Sequence, residues 1–155
     1  MPIKKLKEFL NLRGIKYVII SHSPAYTAME AAESADIPGR ELVKTVMVNL
    51  DGQMAMAVLS SSRMVDFDLL KKAAGAEEAE LAAEDAFKDL FPGCQAGAMP
   101  PFGNLYGMDV YVDDSLGRDE EIAFAAGSHS ELIRLSYNNY IALVEAVTAP
   151  ISRKA

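Results

Sequence analysis

The stretch LVKTVMVNLDGQMAMAVL, residues 42–59, holds two apolar runs joined by Asp51-Gly52. An Asp-Gly pair between β-like runs is the strongest short hairpin signal, because a type I′ turn needs positive φ at both central positions. Residues 43–50 and 53–59 are therefore expected to lie antiparallel to each other. Side chains alternate faces along a strand, so Leu42, Lys44, Val46, Val48 and Leu50 share one side while Val43, Thr45, Met47 and Asn49 share the other. An ammonium thus stands in line with four aliphatic side chains. Taking it out of water is costly, and burial drives a lysine toward its neutral form unless an anion or several acceptors compensate. Two readings stay open on the pattern alone. Either the strand is an edge and Lys44 snorkels to water over apolar surface, or Lys44 faces a pocket that receives an anion.

Outward from the hairpin, short helices and strands alternate irregularly. Ile3, Leu6, Phe9 and Leu10 recur at helical spacing ahead of Gly14, which predicts a helix over 3–13. A strand is expected at about 15–21. Thr27-Ala-Met-Glu30 has capping-box spacing and opens an alanine-rich helix to about Ala35, ended by Pro38-Gly39. Asp66 caps a helix through Leu69, Leu70 and Ala73 that stops at Gly75, and Glu84 to Leu90 forms another before Pro92-Gly93. In GCQAGAMPPFGNLYG, residues 93–107, adjacent prolines fix φ and glycines permit tight turns, so the segment reads as an ordered loop. Strands at about 108–113, 121–126 and 132–136 and a last helix over 137–147 complete the order. The fold class expected is mixed α/β: a single curved, partly barrel-like mixed β-sheet with helices packed outside, the whole of 1–155 forming one domain.

Half of the 155 residues are hydrophobic, enough for one ordinary core. No window approaches the roughly 20 apolar residues of a membrane span, and the opening MPIKKLKEFLNLRG lacks a signal-peptide core, so a cytoplasmic location is expected. Fifteen basic against 22 acidic residues give a net charge of −7, which disfavours duplex-wide phosphate binding. DNA is not an expected partner, and any nucleic-acid contact should be small and local. One cysteine, Cys94, and two histidines, His22 and His129, make neither an internal disulfide nor a metal site; no cofactor is expected.

Three features carry possible chemistry. Besides Lys44, the loop Gly97-Ala-Met-Pro-Pro-Phe-Gly103 can bring bare backbone N–H groups to a ligand, though it also reads as a plain crossover. Gly127-Ser128-His129-Ser130 joins two strands, and a turn histidine either moves protons or simply meets solvent. Hydrolase signatures are missing: there is no Gly-x-Ser-x-Gly elbow, Ser60-Ser61-Ser62 reads as a polar turn, and nothing local to Cys94 lowers a thiol pKa toward a Cys94–His129 pair. Asp113, at a strand end beside a turn, reads either as a further member of the site or as only a cap or surface charge. The methionines read as core filler.

Taken in order, AYTAMEAA (25–32), ELVKTVMV (41–48), GAMPPFG (97–103), VYVDDSL (110–116) and FAAGSHSELIRLS (124–136) resemble the YbaK/EbsC family, editing domains associated with prolyl-tRNA synthetase that also occur as free-standing aminoacyl-tRNA deacylases. The resemblance runs from the first helix to about Val147. It implies a mixed α/β fold around a curved sheet and hydrolysis of the ester on mischarged aminoacyl-tRNA bearing a small amino acid such as Ala, Ser, Thr or Cys. Carried over by position, it implies catalytic roles for Lys44, Gly97 and His129. It further implies substrate contacts from Tyr26, Thr27, Thr45, Ala98, Met99, Pro100, Pro101, Phe102, Gly103, Gly127 and Ser128. The implied partners are the aminoacyl-tRNA acceptor end and a synthetase or elongation factor that delivers it. A non-catalytic aminoacyl- or nucleotide-sensing module with the same pocket is the alternative function, and a plain interaction domain a third.

Overall fold

The computed structural model describes residues 4–21, 40–87, 89–91, 94–95, 97–118 and 120–154. Tyr26, Thr27, the capping box, Pro38-Gly39, Pro92-Gly93 and His22 lie outside them. Helix α1 covers Lys4–Leu12 and buries Leu6 and Leu10, and Gly14 follows at φ 66°, the left-handed stop expected from its position. Strand β1 is Val18–Ser21. The opening stretch forms the hairpin it predicts: β2, Leu42–Leu50, lies antiparallel to β3, Gln53–Ser60, with Val43 opposite Ser60 and Leu50 opposite Gln53. Asp51 and Gly52 take φ of 50° and 84°, the pair of positive values this turn requires.

After β3 come β4 (Arg63–Val65), α2 (Phe67–Ala74), β5 (Ala79–Leu81) and α3 (Glu84–Phe87). Then follow β6 (Asp109–Asp113), β7 (Glu121–Ala125), β8 (Glu131–Ser136), α4 (Tyr137–Val144), β9 (Val147–Ala149) and β10 (Ser152–Lys154). Asp66 caps α2 by accepting from the Asp68 and Leu69 N–H groups, and Gly75 closes it at φ 65°. Helix α4 ends three residues short of the expected Val147, because Glu145 turns left-handed at φ 53° and the chain leaves as β9. Helix α3 is a single turn that stops at Phe87, short of Leu90.

The sheet runs β1-β8-β7-β2-β3-β6-β9, with β5 also on β2, while β4 and β10 form a separate pair. It is mixed, as expected: β2–β3 and β7–β8 are antiparallel, whereas β2–β7, β3–β6 and β6–β9 are parallel. The path ends at β1 and β9, so the curved sheet stays open and no barrel closes.

Alternation along β2 divides the core in two. Val43 and Met47 join Met56, Val58, Phe102, Phe124 and Tyr140 on one face, beneath α1 and α4. Val48 and Leu50 join Ala57, Leu59, Leu70, Tyr111 and Ile151 on the other, beneath α2 and the β4–β10 pair. The β4–β10 pair locks to the sheet through Asp113, whose carboxylate accepts from the Ser115 hydroxyl and from the Ile151 N–H at 2.9 Å, with Arg63 Nε at 4.0 Å. Asp113 is 2% exposed, so the cap or surface charge read from its place at a strand end is corrected to a buried tie. Burial pushes its carboxyl up, but the bonds from Ser115, the Ile151 N–H and Ser152 and the Arg63 charge outweigh that and hold it below the usual carboxylate range.

Candidate functional site

Lys44 is not on an edge strand. β2 lies mid-sheet, and Lys44 stands opposite Leu59 of β3. The other flank of β2 is interrupted. β7 pairs there only with Leu42 and Val43, and β5 with Val48 to Leu50, just past which the Ala82 N–H donates to Met47 O at 2.9 Å; residues 44–46 are left with no strand partner on that side among the described residues. The ladder therefore opens at Lys44.

What fills that flank follows from the alternation of β7. Its Ala123 N–H points toward β2 and donates to Glu41 O at 3.0 Å, and the Ala126 N–H points toward β8 and donates to Glu131 O at 3.1 Å. Gly127 is turned back toward β2. Its N–H donates to Ala98 O at 2.9 Å and its carbonyl accepts from the Gln95 N–H at 2.8 Å. The loop over 94–98 is thereby stitched onto the end of β7, on the flank where β2 is open. Gln95 adds a second tie, its Oε1 accepting from the His129 N–H at 2.6 Å. Gly97, at φ 82°, sits at the exposed tip of this loop, and a Cβ built on it would lie 3.6 Å from His129 Cε1. Among the described residues the Gly97 N–H donates to no acceptor.

The far half of the loop is anchored in the core. Phe102 is fully buried with its ring edge-on to Phe9 (6.0 Å), Phe124 (5.6 Å) and Tyr140 (5.2 Å). The Tyr140 hydroxyl donates to Pro101 O at 2.7 Å. Gly103 has no room for a side chain, since a Cβ there would meet Val110 Cγ2 at 2.7 Å. This is the ordered loop the proline and glycine content predicts: pinned at 101–103 and presented at 97.

The residues singled out from sequence thus separate into groups. Gly97, Gly127 and His129 belong to one loop-and-turn cluster, whereas Lys44 stands on β2 one residue past the last β2–β7 pair, Val43 with Phe124, and makes no contact with them among the described residues. Ser128 continues the turn, its hydroxyl 3.4 Å from that of Ser130. Thr45 projects to the opposite face from Lys44, level with Val58. Ala98, Met99, Pro100, Pro101, Phe102 and Gly103 are buried, with Met99 and Phe102 inside the main core, so their side chains support the loop from beneath. Gln95 and Tyr140, which hold the turn and the loop in place, were not legible as site residues: each makes a bond to a position 34 to 39 residues away.

Electrostatically the site is sparse. Desolvation by its aliphatic neighbours lowers the Lys44 pKa, and among the described residues no carboxylate pairs with it. Burial pushes the Cys94 thiol up to about 11, so the thiolate needed for nucleophilic attack is scarce at neutral pH. Among the described residues no group of three His, Cys, Asp or Glu side chains is placed to hold a metal, and no helix is long and apolar enough to cross a membrane. Among the described residues these elements offer one half-buried cation without an ion pair, one exposed backbone donor at a loop tip and one imidazole.

Comparison with known proteins gives this geometry a context. No curated protein matches the sequence. A crystal structure of a protein described only as hypothetical superposes with a TM-score of 0.86 at 24% identity, covering 97% of this chain and all of that one. A protein proposed to be a trans-editing enzyme for prolyl-tRNA synthetase superposes at 0.82 with 22% identity over 97% of this chain and 96% of its own. A signal-transduction candidate from Marinobacter aquaeolei superposes at 0.77 with 16% identity over 98% of this chain but only 31% of its own. At these identities the likenesses establish the fold, which recurs both alone and within a longer chain. The family model described as an aminoacyl-tRNA editing domain matches residues 22–143. A match over that much of its length means that the chain belongs to the aminoacyl-tRNA editing domain family.

Proposed function

We propose that this protein is a trans-editing deacylase that hydrolyses the ester between a small amino acid and the terminal adenosine of a mischarged tRNA. Two observations support the reading: the break in the β2 ladder at Lys44 and, separately, the Gly97 tip held against the His129 turn. An ester is already activated, so modest help suffices. Preorganised backbone donors aimed at a developing oxyanion contribute about two to three factors of ten in rate. The Gly97 N–H is that donor. Lys44 holds the anionic acceptor end and in return gains the counter-charge it lacks, and His129 orients substrate or water. No side chain here is placed as a general base, which leaves water activation to the substrate's own terminal ribose hydroxyl.

Discrimination comes from exclusion. In this reading the site admits alanine, serine, threonine or cysteine, and each extra methylene is worth about 1 to 3 kcal/mol against a larger side chain. The whole chain, 1–155, acts as one editing domain in the cytoplasm, on acceptor ends delivered by a synthetase or an elongation factor.

Presenting the purified protein with a panel of tRNAs charged with Ala, Ser, Thr, Cys or Pro tests this. Release of at least one of the first four, with slower loss of a bulkier amino acid, is expected. Saturable binding with no ester loss anywhere on the panel would instead mark a sensing module. Gly97→Ala probes the donor. The left-handed backbone costs an L side chain about 1 to 2 kcal/mol, while the 3.6 Å approach to His129 is ordinary contact. The variant is therefore expected to fold, with a lower kcat and nearly unchanged KM. An unchanged kcat removes the Gly97 N–H from the mechanism.

A further inference from the structure

A cavity opens at the end of the sheet where β2 begins and β3, β6 and β10 finish. It measures about 530 Å³ and its walls carry Arg40, Arg63, Arg118 and Lys154, with the hydroxyls of Ser60 and Ser62. No carboxylate lines it among the described residues, on a chain whose net charge is −7. Lys154 stands directly opposite Arg63 in the β4–β10 ladder, and like charges so placed repel unless an anion lies between or beside them. Asp113, 4.0 Å from Arg63, answers one charge. Arg118 and Lys154 are exposed and have no ion pair among the described residues.

We propose that this cavity binds backbone phosphates of the acceptor strand upstream of the nucleotide that carries the ester. The inference rests on the deacylase reading for the identity of the strand, but not for the chemistry of the site. Placement supports it. Ser60 pairs with Val43, the residue before Lys44, and Arg40 lies four residues before Lys44, at most roughly 13 Å away along the chain. In this proposal Lys44 lies between the basic cavity and the Gly97 tip. A single strand entering over the arginines delivers its last nucleotide to Lys44 and its ester to Gly97. The contact is local and basic on an otherwise acidic molecule, which is how such a protein can hold an RNA end without attracting duplex at large.

The double variant Arg118→Gln/Lys154→Gln tests this, since both side chains are exposed and its melting temperature should match the wild type. With aminoacyl-tRNA the KM is expected to rise about tenfold with kcat nearly unchanged. With 3′-aminoacyl-adenosine, which has no upstream phosphate, both constants should stay as they were. A second arm needs no turnover: binding of a fluorescein-labelled single-stranded RNA ending in CCA should weaken, and the slope of log K against log salt should fall by about 1.4 for the two lost contacts. Unchanged KM for tRNA together with unchanged RNA binding overturns the proposal, as does an equal loss on both substrates. Inorganic phosphate that binds tightly and is lost in the variant, with RNA binding unaffected, overturns the strand assignment in favour of a free-phosphate site. Should the wild type deacylate nothing on the panel while the RNA arm behaves as described, the deacylase reading fails and the phosphate site stands.

Discussion

Lys44→Ala is expected to remove most deacylation, about 100-fold in kcat/KM, while leaving a protein at least as stable as the wild type. The two halves of that expectation share one cause. Aliphatic neighbours desolvate the ammonium and lower its pKa, and no carboxylate among the described residues answers it. In the free protein the charge is therefore a cost that an alanine relieves. In the proposed substrate complex it meets an anion, and a charge-assisted hydrogen bond contributes about 1.5 to 3 kcal/mol, while each 1.36 kcal/mol is tenfold in rate. The sign with pH follows. A lysine with a lowered folded-state pKa binds fewer protons than in the unfolded chain between that pKa and 10.5, so wild-type stability rises across that alkaline window and the variant's rise is smaller. Lys44→Met separates charge from stem packing. Normal turnover by a folded Lys44→Ala protein would remove Lys44 from the mechanism, and a melting temperature well below wild type would show that its charge is compensated after all.

The question posed by residues 42–59 could be asked from sequence but not answered there. Asp51-Gly52 and the alternation on either side give the hairpin and both faces, because those signals are local. Asp66 and Gly75 delimit α2 for the same reason. Whether Lys44 sits on an edge depends on which strand lies beside β2, and the partner residues Ala123 and Phe124 are some 80 positions away. The three-residue strands β4, β5, β9 and β10 escape periodicity altogether, since three residues cannot show a period. Asp113 read as a cap or surface charge because it ends a strand beside a turn, whereas Arg63 and Ile151, which make it a buried tie, come from the β4–β10 pair, some 40 to 50 residues away in sequence. The basic cavity is assembled from Arg40, Arg63, Arg118 and Lys154, and no two are close enough in sequence to form a charge run. Loop rigidity was legible in the prolines and glycines, but not which half of the loop would be buried.

That division of the loop leads to the largest expected effect on stability, at Phe102. Its ring is fully enclosed among Phe9, Phe124 and Tyr140, and truncating such a ring to alanine costs about 3 to 5 kcal/mol. For a chain of this size, each kcal/mol moves the melting temperature by about 2 to 4 °C, so Phe102→Ala should melt roughly 6 to 20 °C lower. The consequence for function is separate and measurable below that transition. Phe102 follows Pro101, whose carbonyl is held by the Tyr140 hydroxyl, and five residues earlier the same loop presents Gly97. A cavity at 102 lets the anchor shift, and a donor displaced by about 1 Å loses on the order of 100-fold in rate. Phe102→Leu refills most of the cavity and should recover more stability than activity, since a branched aliphatic fills volume without restoring the edge-on ring contacts that fix position. If Phe102→Ala remains folded with unchanged kcat, the tip is positioned by Gln95 and Gly127 alone, and the core beneath it matters only to stability.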